Sequence, residues 1–270
     1  MTETEKGLVS PRSSGQVDNT GRFTGKGEEY ARYRPDYPAE LLACLFGSAT
    51  GPDDSFTVAD VGAGTGLFSA QIARLCCHVV CVEPNADMLR QARSRLAGLI
   101  QTGRCELVQA PAEHTGLEDA SVDLVTAAQA FHWFDRAAFK AECRRILKPE
   151  GKVALVWNSR VPDAPINRAC EELNRELCPA FHGFSGGIGN DPAQFSDFFD
   201  GGIDFHVFPH DLVYDRAGFI GRNLSASYAP REGDPSYGAY VARLGELFDE
   251  FSHGGSVTIP NAARLYVGRV

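Results

Sequence analysis

A short β-rich run, Phe56-Thr-Val-Ala-Asp-Val61, feeds directly into three glycines at alternate positions, Gly62, Gly64 and Gly66, and then into a segment with helical apolar spacing, Leu67 to Leu75. Strand, tight glycine loop and helix in immediate succession narrow the possible folds more than any other feature of the chain. Glycine permits left-handed turns and close approach of a ligand to the backbone, and the first turn of the following helix offers free amides. The spacing is GxGxG. A dinucleotide fingerprint would place its third glycine where this chain has Leu67, so room for a pyrophosphate is not implied.

The pattern continues as an alternation. His78 to Glu83 reads as a second buried strand, Asn85 to Ala97 as a helix, Cys105 to Gln109 as a third strand and Val122 to Ala128 as a fourth. Asp135 is placed to cap a helix running to Leu147, the Lys148-Pro-Glu-Gly151 turn ends it, and Lys152 to Trp157 is a fifth strand. Alternating strands and helices imply parallel pairing. Asp204 to Tyr214 reads as a further strand, Arg216 to Tyr228 and Ser236 to His253 as helices, and Ala263 to Val270 as a closing strand that pairs with its predecessor at one sheet edge. The fold class is therefore α/β, Rossmann-like, with a seven-stranded, mostly parallel sheet and helices on both faces.

Around this sheet the organisation is one domain, residues 21–270, behind a disordered tail, residues 1–20, whose polar composition cannot offset the entropy of ordering. Residues 21–55 form an N-terminal helical lid, with one helix over Lys26 to Arg32 and another over Ala39 to Phe46. Residues 159–202, carrying Pro162, Pro165 and a glycine stretch, read as irregular helices and loops laid over the sheet, and with 216–255 as a substrate cover.

Charge and cysteine content exclude several function classes. A net charge of −9 works against binding a nucleic acid, which needs clustered Lys and Arg. No apolar run approaches a membrane span and no leader pattern is visible, so a cytoplasmic protein is expected. Cysteines such as Cys44, Cys81 and Cys143 sit inside apolar runs and read as reduced core residues. Cys76, Cys77 and Cys178 lack metal-ligand spacing, and no metal site is expected. Oligomeric state is expected to be monomer or homodimer.

Glu83 closes the second strand about twenty residues after the loop, where a carboxylate can accept both hydroxyls of a ribose. Loop and acid together point to an adenosine-containing ligand. A solvated strand end is the alternative for Glu83.

Several motifs in order, Asp60-Val-Gly-Ala-Gly-Thr-Gly66, Val82-Glu-Pro-Asn85, Ala112-Glu113, Ala128-Gln-Ala-Phe-His-Trp133 and Leu147-Lys-Pro-Glu-Gly151, resemble those of class I S-adenosylmethionine (SAM)-dependent methyltransferases across residues 20–160. Tyr30-Ala-Arg-Tyr-Arg-Pro-Asp-Tyr-Pro38 and the Phe-His-Trp sequence are similar, more narrowly, to the methyltransferase type 11 group. That group includes trans-aconitate methyltransferase-like and fungal thiol methyltransferase-like proteins.

The resemblance implies SAM as cofactor, S-adenosylhomocysteine as product and a small-molecule acceptor with a carboxylate, thiol or hydroxyl. It assigns Gly62, Gly64 and Gly66 to the methionine part, Glu83 to the ribose, and Pro84, Asn85 and Met88 to the flanks of the adenine. Ala112 and Glu113 would read the adenine amino group, although Ala110-Pro111 replaces the usual Gly-Asp before them. Gln129 would contact the methionine end. Tyr30 and Arg34 lie in a lid that folds over the cofactor in relatives, and Arg34 suits a carboxylate of cofactor or substrate.

Tyr33, Phe131, Trp133, Asn158, Arg160 and Arg222 are candidate substrate contacts, with Phe184, Ser185, Gly186, Asn223 and Tyr228 as further positions. Phe131 and Trp133 either face the methyl group or pack beneath the next helix. His132 either acts as a general base or hydrogen-bonds a carbonyl. A nicotinamide-dependent oxidoreductase and a non-catalytic SAM-binding protein are the competing functions. A ribose role for Glu83 predicts that Glu83→Ala weakens cofactor binding with little effect on folding.

Overall fold

The computed structural model describes residues 33–46, 55–75, 78–184, 188 and 191–270. The tail, the Lys26 to Arg32 helix, Tyr30, Cys76, Cys77, Ser185 and Gly186 lie outside the described residues.

Helix α1 (Ala39–Phe46) precedes β1 (Thr57–Val61), α2 (Leu67–Ile72), β2 (His78–Val82), α3 (Ala86–Arg95), α4 (Ala97–Gln101), β3 (Cys105–Val108) and β4 (Val122–Ala128). A 3-10 turn over Phe131–Trp133 leads into α5 (Arg136–Ile146) and β5 (Leu147–Arg160). Strands β6 (Asp204–Pro209) and β9 (Asn261–Gly268) complete a seven-stranded sheet of order β3-β2-β1-β4-β5-β9-β6. Strands β1 to β5 pair in parallel, and β9 runs antiparallel to both β5 and β6. The expected seven-stranded, mostly parallel sheet is thus present, with its last two strands paired at one edge.

The apolar alternation of the strands produces two cores. One face packs Val61, Val125 and Leu155 against Phe139 and Ile146 of α5 and against Phe195 and Phe198. The other packs Val58, Val79 and Val156 against Leu41 of α1, Ile72 of α2 and Ala92 of α3. The order of strands makes the chain reverse direction between β1 and β4, so a crevice opens beyond their carboxyl ends.

The final third departs from the sequence expectation in two ways. Residues 165–177 form a regular helix, α6 (Pro165–Leu177), where irregular structure was expected. Pro165 begins it, at a position where the missing N–H costs nothing. The single strand expected over 204–214 is two: after Pro209 the chain leaves the sheet, and β7 (Leu212–Tyr214) pairs with β8 (Val257–Ile259) in a separate two-stranded ribbon. With α6, α7 (Arg216–Leu224) and α8 (Tyr237–Phe251), this ribbon encloses a third apolar core containing Cys170, Leu173, Phe219, Tyr240 and Leu244. Cys44 is exposed, against expectation, because it lies on the outer side of α1. Cys81, Cys105, Cys143, Cys170 and Cys178 are buried free thiols.

One buried carboxylate ties the loop after β3 to α5. Glu142 is 5% exposed and accepts hydrogen bonds from the Thr115 amide (2.7 Å), the Thr115 hydroxyl and the Arg145 guanidinium (2.8 Å). Burial would raise its pKa, but the bonds from Arg145 and Thr115 outweigh it and hold the pKa at about 2. Its stabilising effect is therefore full above the ordinary carboxylate range and is lost as pH falls towards 2. Replacing Glu142 with Ala is expected to cost roughly 2–3 kcal/mol in urea denaturation at pH 7. A variant with an unchanged midpoint would show that the loop is held by other contacts.

Candidate active site

The glycine loop is built from the ends of β1 and β2. The Gly62 and Ala63 amides both donate to the Val82 carbonyl, at 2.8 and 3.1 Å. The three glycines then do different jobs. A Cβ on Gly62 would lie 2.5 Å from the Ala130 side chain, and one on Gly66 would lie 2.9 Å from Leu96, so these two allow close packing of neighbouring elements. Gly64 (φ +57°) has nothing within 4 Å of its Cβ position. It alone leaves open the space a ligand would take.

That space is a cavity of about 620 Å³ at the carboxyl ends of the strands, within the range usual for small-molecule sites. Gly62, Gly64, Glu83, Pro84, Asn85, Met88, Ala112, Glu113, Gln129, Trp133, Asn158 and Arg34 all line it. Gly66 does not.

Glu83 is 8% exposed, and each of its carboxylate oxygens accepts one bond from backbone. Its Oε2 accepts from the Gly64 amide and its Oε1 from the Asn85 amide, both at 2.9 Å. Burial raises its pKa, and the two amide bonds oppose the rise. Asn85 in turn caps α3, its side chain accepting from the Asp87 and Met88 amides at 2.9 and 3.0 Å. Glu113 receives the Asp135 amide at 2.8 Å, which joins the loop after β3 to the start of α5. Beneath the loop, Asp60 accepts from the hydroxyls of Ser69 and Thr126, and burial lifts its pKa to about 6.

Gln129 follows β4 with φ +56°, a conformation few residues other than glycine adopt. Its side chain donates to the Asn158 carbonyl at 2.6 Å. Asn158 donates to the Asp36 carbonyl at 2.8 Å, which holds the N-terminal segment carrying Arg34 across the cavity mouth. Arg34 reaches the Ser225 carbonyl at 3.3 Å.

A second chamber of about 80 Å³ shares Arg34, Gln129, Trp133 and Asn158 with the first and adds His132, Arg160, Phe184, Arg222 and Tyr228. His132 Nδ1 is buried without a hydrogen-bond partner. Burial, and then the charge of Arg34, lower its pKa to about 4, so the ring is neutral at physiological pH. Phe131 lies elsewhere, fully buried in an aromatic cluster with Phe195 and Phe198 at centroid distances of 5.6 and 4.7 Å. Tyr33 lines neither chamber. Its ring lies flat against Gly221, where a Cβ would meet it at 2.5 Å. Sequence reasoning missed Ala226 and Ser227, which also line the second chamber and have no chemical signature that would have drawn notice.

A parallel sheet in this order, with a glycine loop leaving β1 and an acid closing β2, defines the class I methyltransferase architecture. Residues 59–155 match the type 11 family model described as "Methyltransferase domain". It is 37% identical over 131 residues to an uncharacterized methyltransferase of Mycobacterium tuberculosis, covering 48% of this chain and 49% of that one. A second uncharacterized methyltransferase, from Schizosaccharomyces pombe, is 33% identical over 146 residues, covering 54% and 55%. The chain thus spans about half the length of the curated relatives it matches. Among solved structures, a protein from Anaeromyxobacter dehalogenans assigned as a type II methyltransferase superposes with a TM-score of 0.61 at 25% identity, over 88% of this chain and 98% of that one. The YcgJ protein of Bacillus subtilis shares the fold at a TM-score of 0.55 and 19% identity, over 86% and 100%.

Two outcomes test this geometry. The His132 imidazole, followed by NMR, is expected to titrate near pH 4, and its refusal of a proton makes the fold lose stability as pH falls from about 6.5 towards 4. A midpoint near 6.5 would mean that the ring is solvated. Because Glu83 holds two buried amides, Glu83→Ala is expected to lower unfolding stability by about 1.5–3 kcal/mol, in contrast to the small effect anticipated from sequence. Denaturation curves that superimpose on wild type would contradict the clamp.

Proposed function

We propose that the protein is a SAM-dependent methyltransferase acting on a small molecule. The observation that carries this reading is the buried Glu83 carboxylate, set beside the open Gly64 position at the rim of one large cavity. The residues present fit the cofactor. Glu83 would hold the ribose hydroxyls. Pro84, Asn85 and Met88 would flank one side of the adenine, and Ala112 and Glu113 would meet its edge. Gly64 and Gln129 would face the methionine chain, with Arg34 available for its carboxylate.

When bound, SAM supplies a methyl group already activated by a sulfonium. The tasks left to the chain are positioning and exclusion of water. Trp133, at the junction of the two chambers, presents an aromatic face that can stabilise a sulfonium by about 0.5–2 kcal/mol. His132, neutral and with a free Nδ1 lone pair or proton, can take up or orient an acceptor's proton.

The position that a dinucleotide fingerprint reserves for glycine is Leu67, whose side chain stands among the residues lining the cavity. This disfavours a nicotinamide-dependent oxidoreductase. A second chamber that shares Arg34, Gln129, Trp133 and Asn158 with the first gives an acceptor somewhere to bind, which a SAM-binding protein without catalysis would not need.

Isothermal calorimetry with SAM, S-adenosylhomocysteine and NAD tests the reading. The expected result is micromolar binding of both sulfur nucleosides, no binding of NAD, and at least a tenfold loss in Glu83→Ala, about 1.4 kcal/mol. Binding of NAD without either nucleoside would overturn the proposal.

A further inference from the structure

The acidic chain brings three guanidinium groups together at the second chamber. Arg160 stands at the end of β5, Arg222 on α7 and Arg34 in the N-terminal segment. Arg34 borders both chambers and is accounted for by the cofactor reading. Arg160 and Arg222 border the second chamber alone.

Their surroundings do not neutralise them. Arg160 donates from Nη2 to the Asn223 side chain at 2.9 Å and shares a side-chain hydrogen bond with Cys170, and its Cζ lies 4.3 Å from the Phe184 ring centroid. Its Nη1 is buried with no hydrogen-bond partner. Among the described residues no ion pair or hydrogen bond engages the Arg222 guanidinium, and the groups acting most strongly on its charge are Arg34, Arg160, Tyr214 and Tyr228. Burial first, then the charges of Arg34 and Arg160, bring its pKa down to about 10, which leaves it protonated at neutral pH.

Two sequestered cations without a counter-charge are costly for a fold to maintain. By contrast, Arg144, Arg145, Arg216 and Arg269 on the outer surface all meet carboxylates. Held by Asn223 and by stacking on Phe184, the Arg160 fork has a set orientation and keeps a donor edge spare. That is the arrangement used to receive a planar or tetrahedral oxyanion.

We propose that the second chamber is an oxyanion-binding subsite, and that the methyl acceptor is a small organic acid whose carboxylate or phosphate group is seated between Arg160 and Arg222. Anion binding stands on these two residues alone; that the bound acid is then methylated rests on the function proposed above.

Calorimetric titration of succinate, citrate and inorganic phosphate into the full chain, with and without saturating S-adenosylhomocysteine, tests the subsite, with dimethyl succinate as the uncharged control. Binding of at least one oxyanion and not of the diester is expected, and which oxyanion binds distinguishes carboxylate from phosphate recognition. Arg160→Lys, which keeps the charge and loses the fork, and Arg222→Met should each weaken that binding at least tenfold. S-adenosylhomocysteine affinity should stay within threefold of wild type, which also reports that the variants fold.

A wild-type protein that binds S-adenosylhomocysteine but none of the three oxyanions at millimolar concentration would overturn the subsite. Equal oxyanion binding in wild type and both variants would do the same. Arginine-dependent oxyanion binding in a protein that binds no S-adenosylhomocysteine would leave the subsite standing and remove the methyltransferase reading. Should either variant fail to fold, the comparison of succinate with its diester on wild type still decides.

Discussion

The site depends on one carboxylate held between two amides. Glu83 leaves the end of β2 and binds the Gly64 amide of the loop after β1 and the Asn85 amide at the start of α3. Neither segment has a regular hydrogen-bonding partner there, since each lies where a strand has ended and a helix has yet to close its first turn. By satisfying both, Glu83 sets the distance between the glycine loop and the capped end of α3. The two walls of the large cavity are therefore placed by one side chain. A hydrogen bond to an ionised acceptor is about twice as strong as a neutral one, so the two amides oppose the cost of burying Glu83 without an arginine partner that would occupy the cavity.

A second set of contacts fixes the cover to the sheet. Asp36 is held through its carbonyl by Asn158, and Tyr37 exchanges hydrogen bonds with the Gln71 side chain of α2 at 3.0 and 2.8 Å. The His210 ring, between β6 and β7, also meets the Asp36 carbonyl at 3.1 Å. The segment between Tyr33 and Pro38 is consequently stitched to the sheet at one end, while Tyr33 lies on Gly221 of α7 and Arg34 reaches Ser225 at the other. This segment therefore touches both the sheet and the cover, and it carries an arginine that borders both chambers.

How far the sequence could be read follows from which interactions are local. Strands β1 to β4 declared themselves as short, apolar, β-rich runs, and the helix over α5 by Asp135 three residues before the amide it caps, Ala138. Part of the cavity lining was legible because the glycine loop and Glu83 each sit at a strand end, where the alternation of strands and helices locates them, whereas Gln129 was reached through the family resemblance. The final third was read less well. Pro165 was taken for a breaker when it opens α6, and nothing local shows that Leu212 to Tyr214 would desert the main sheet for Val257 to Ile259, some forty residues later. Phe131 shows the same limit at a single side chain: its neighbours in sequence face the chambers, but the Phe195 and Phe198 rings that enclose it come from a distant segment.

The charge pattern could not have been read locally at all. A chain with 35 acidic and 26 basic residues has no basic cluster in its sequence, and Arg34, Arg160 and Arg222 are separated by more than sixty residues each. Folding brings them to one small chamber of an otherwise acidic chain. Low dielectric strengthens the attraction an anion would meet there. His132 fits the same field. Its desolvation and the nearby Arg34 keep it neutral, so the imidazole in the chamber contributes no positive charge of its own. The chamber's positive charge therefore comes from arginines, which do not titrate near neutral pH, and its capacity for an anion is held constant over the range in which a histidine-based site would switch.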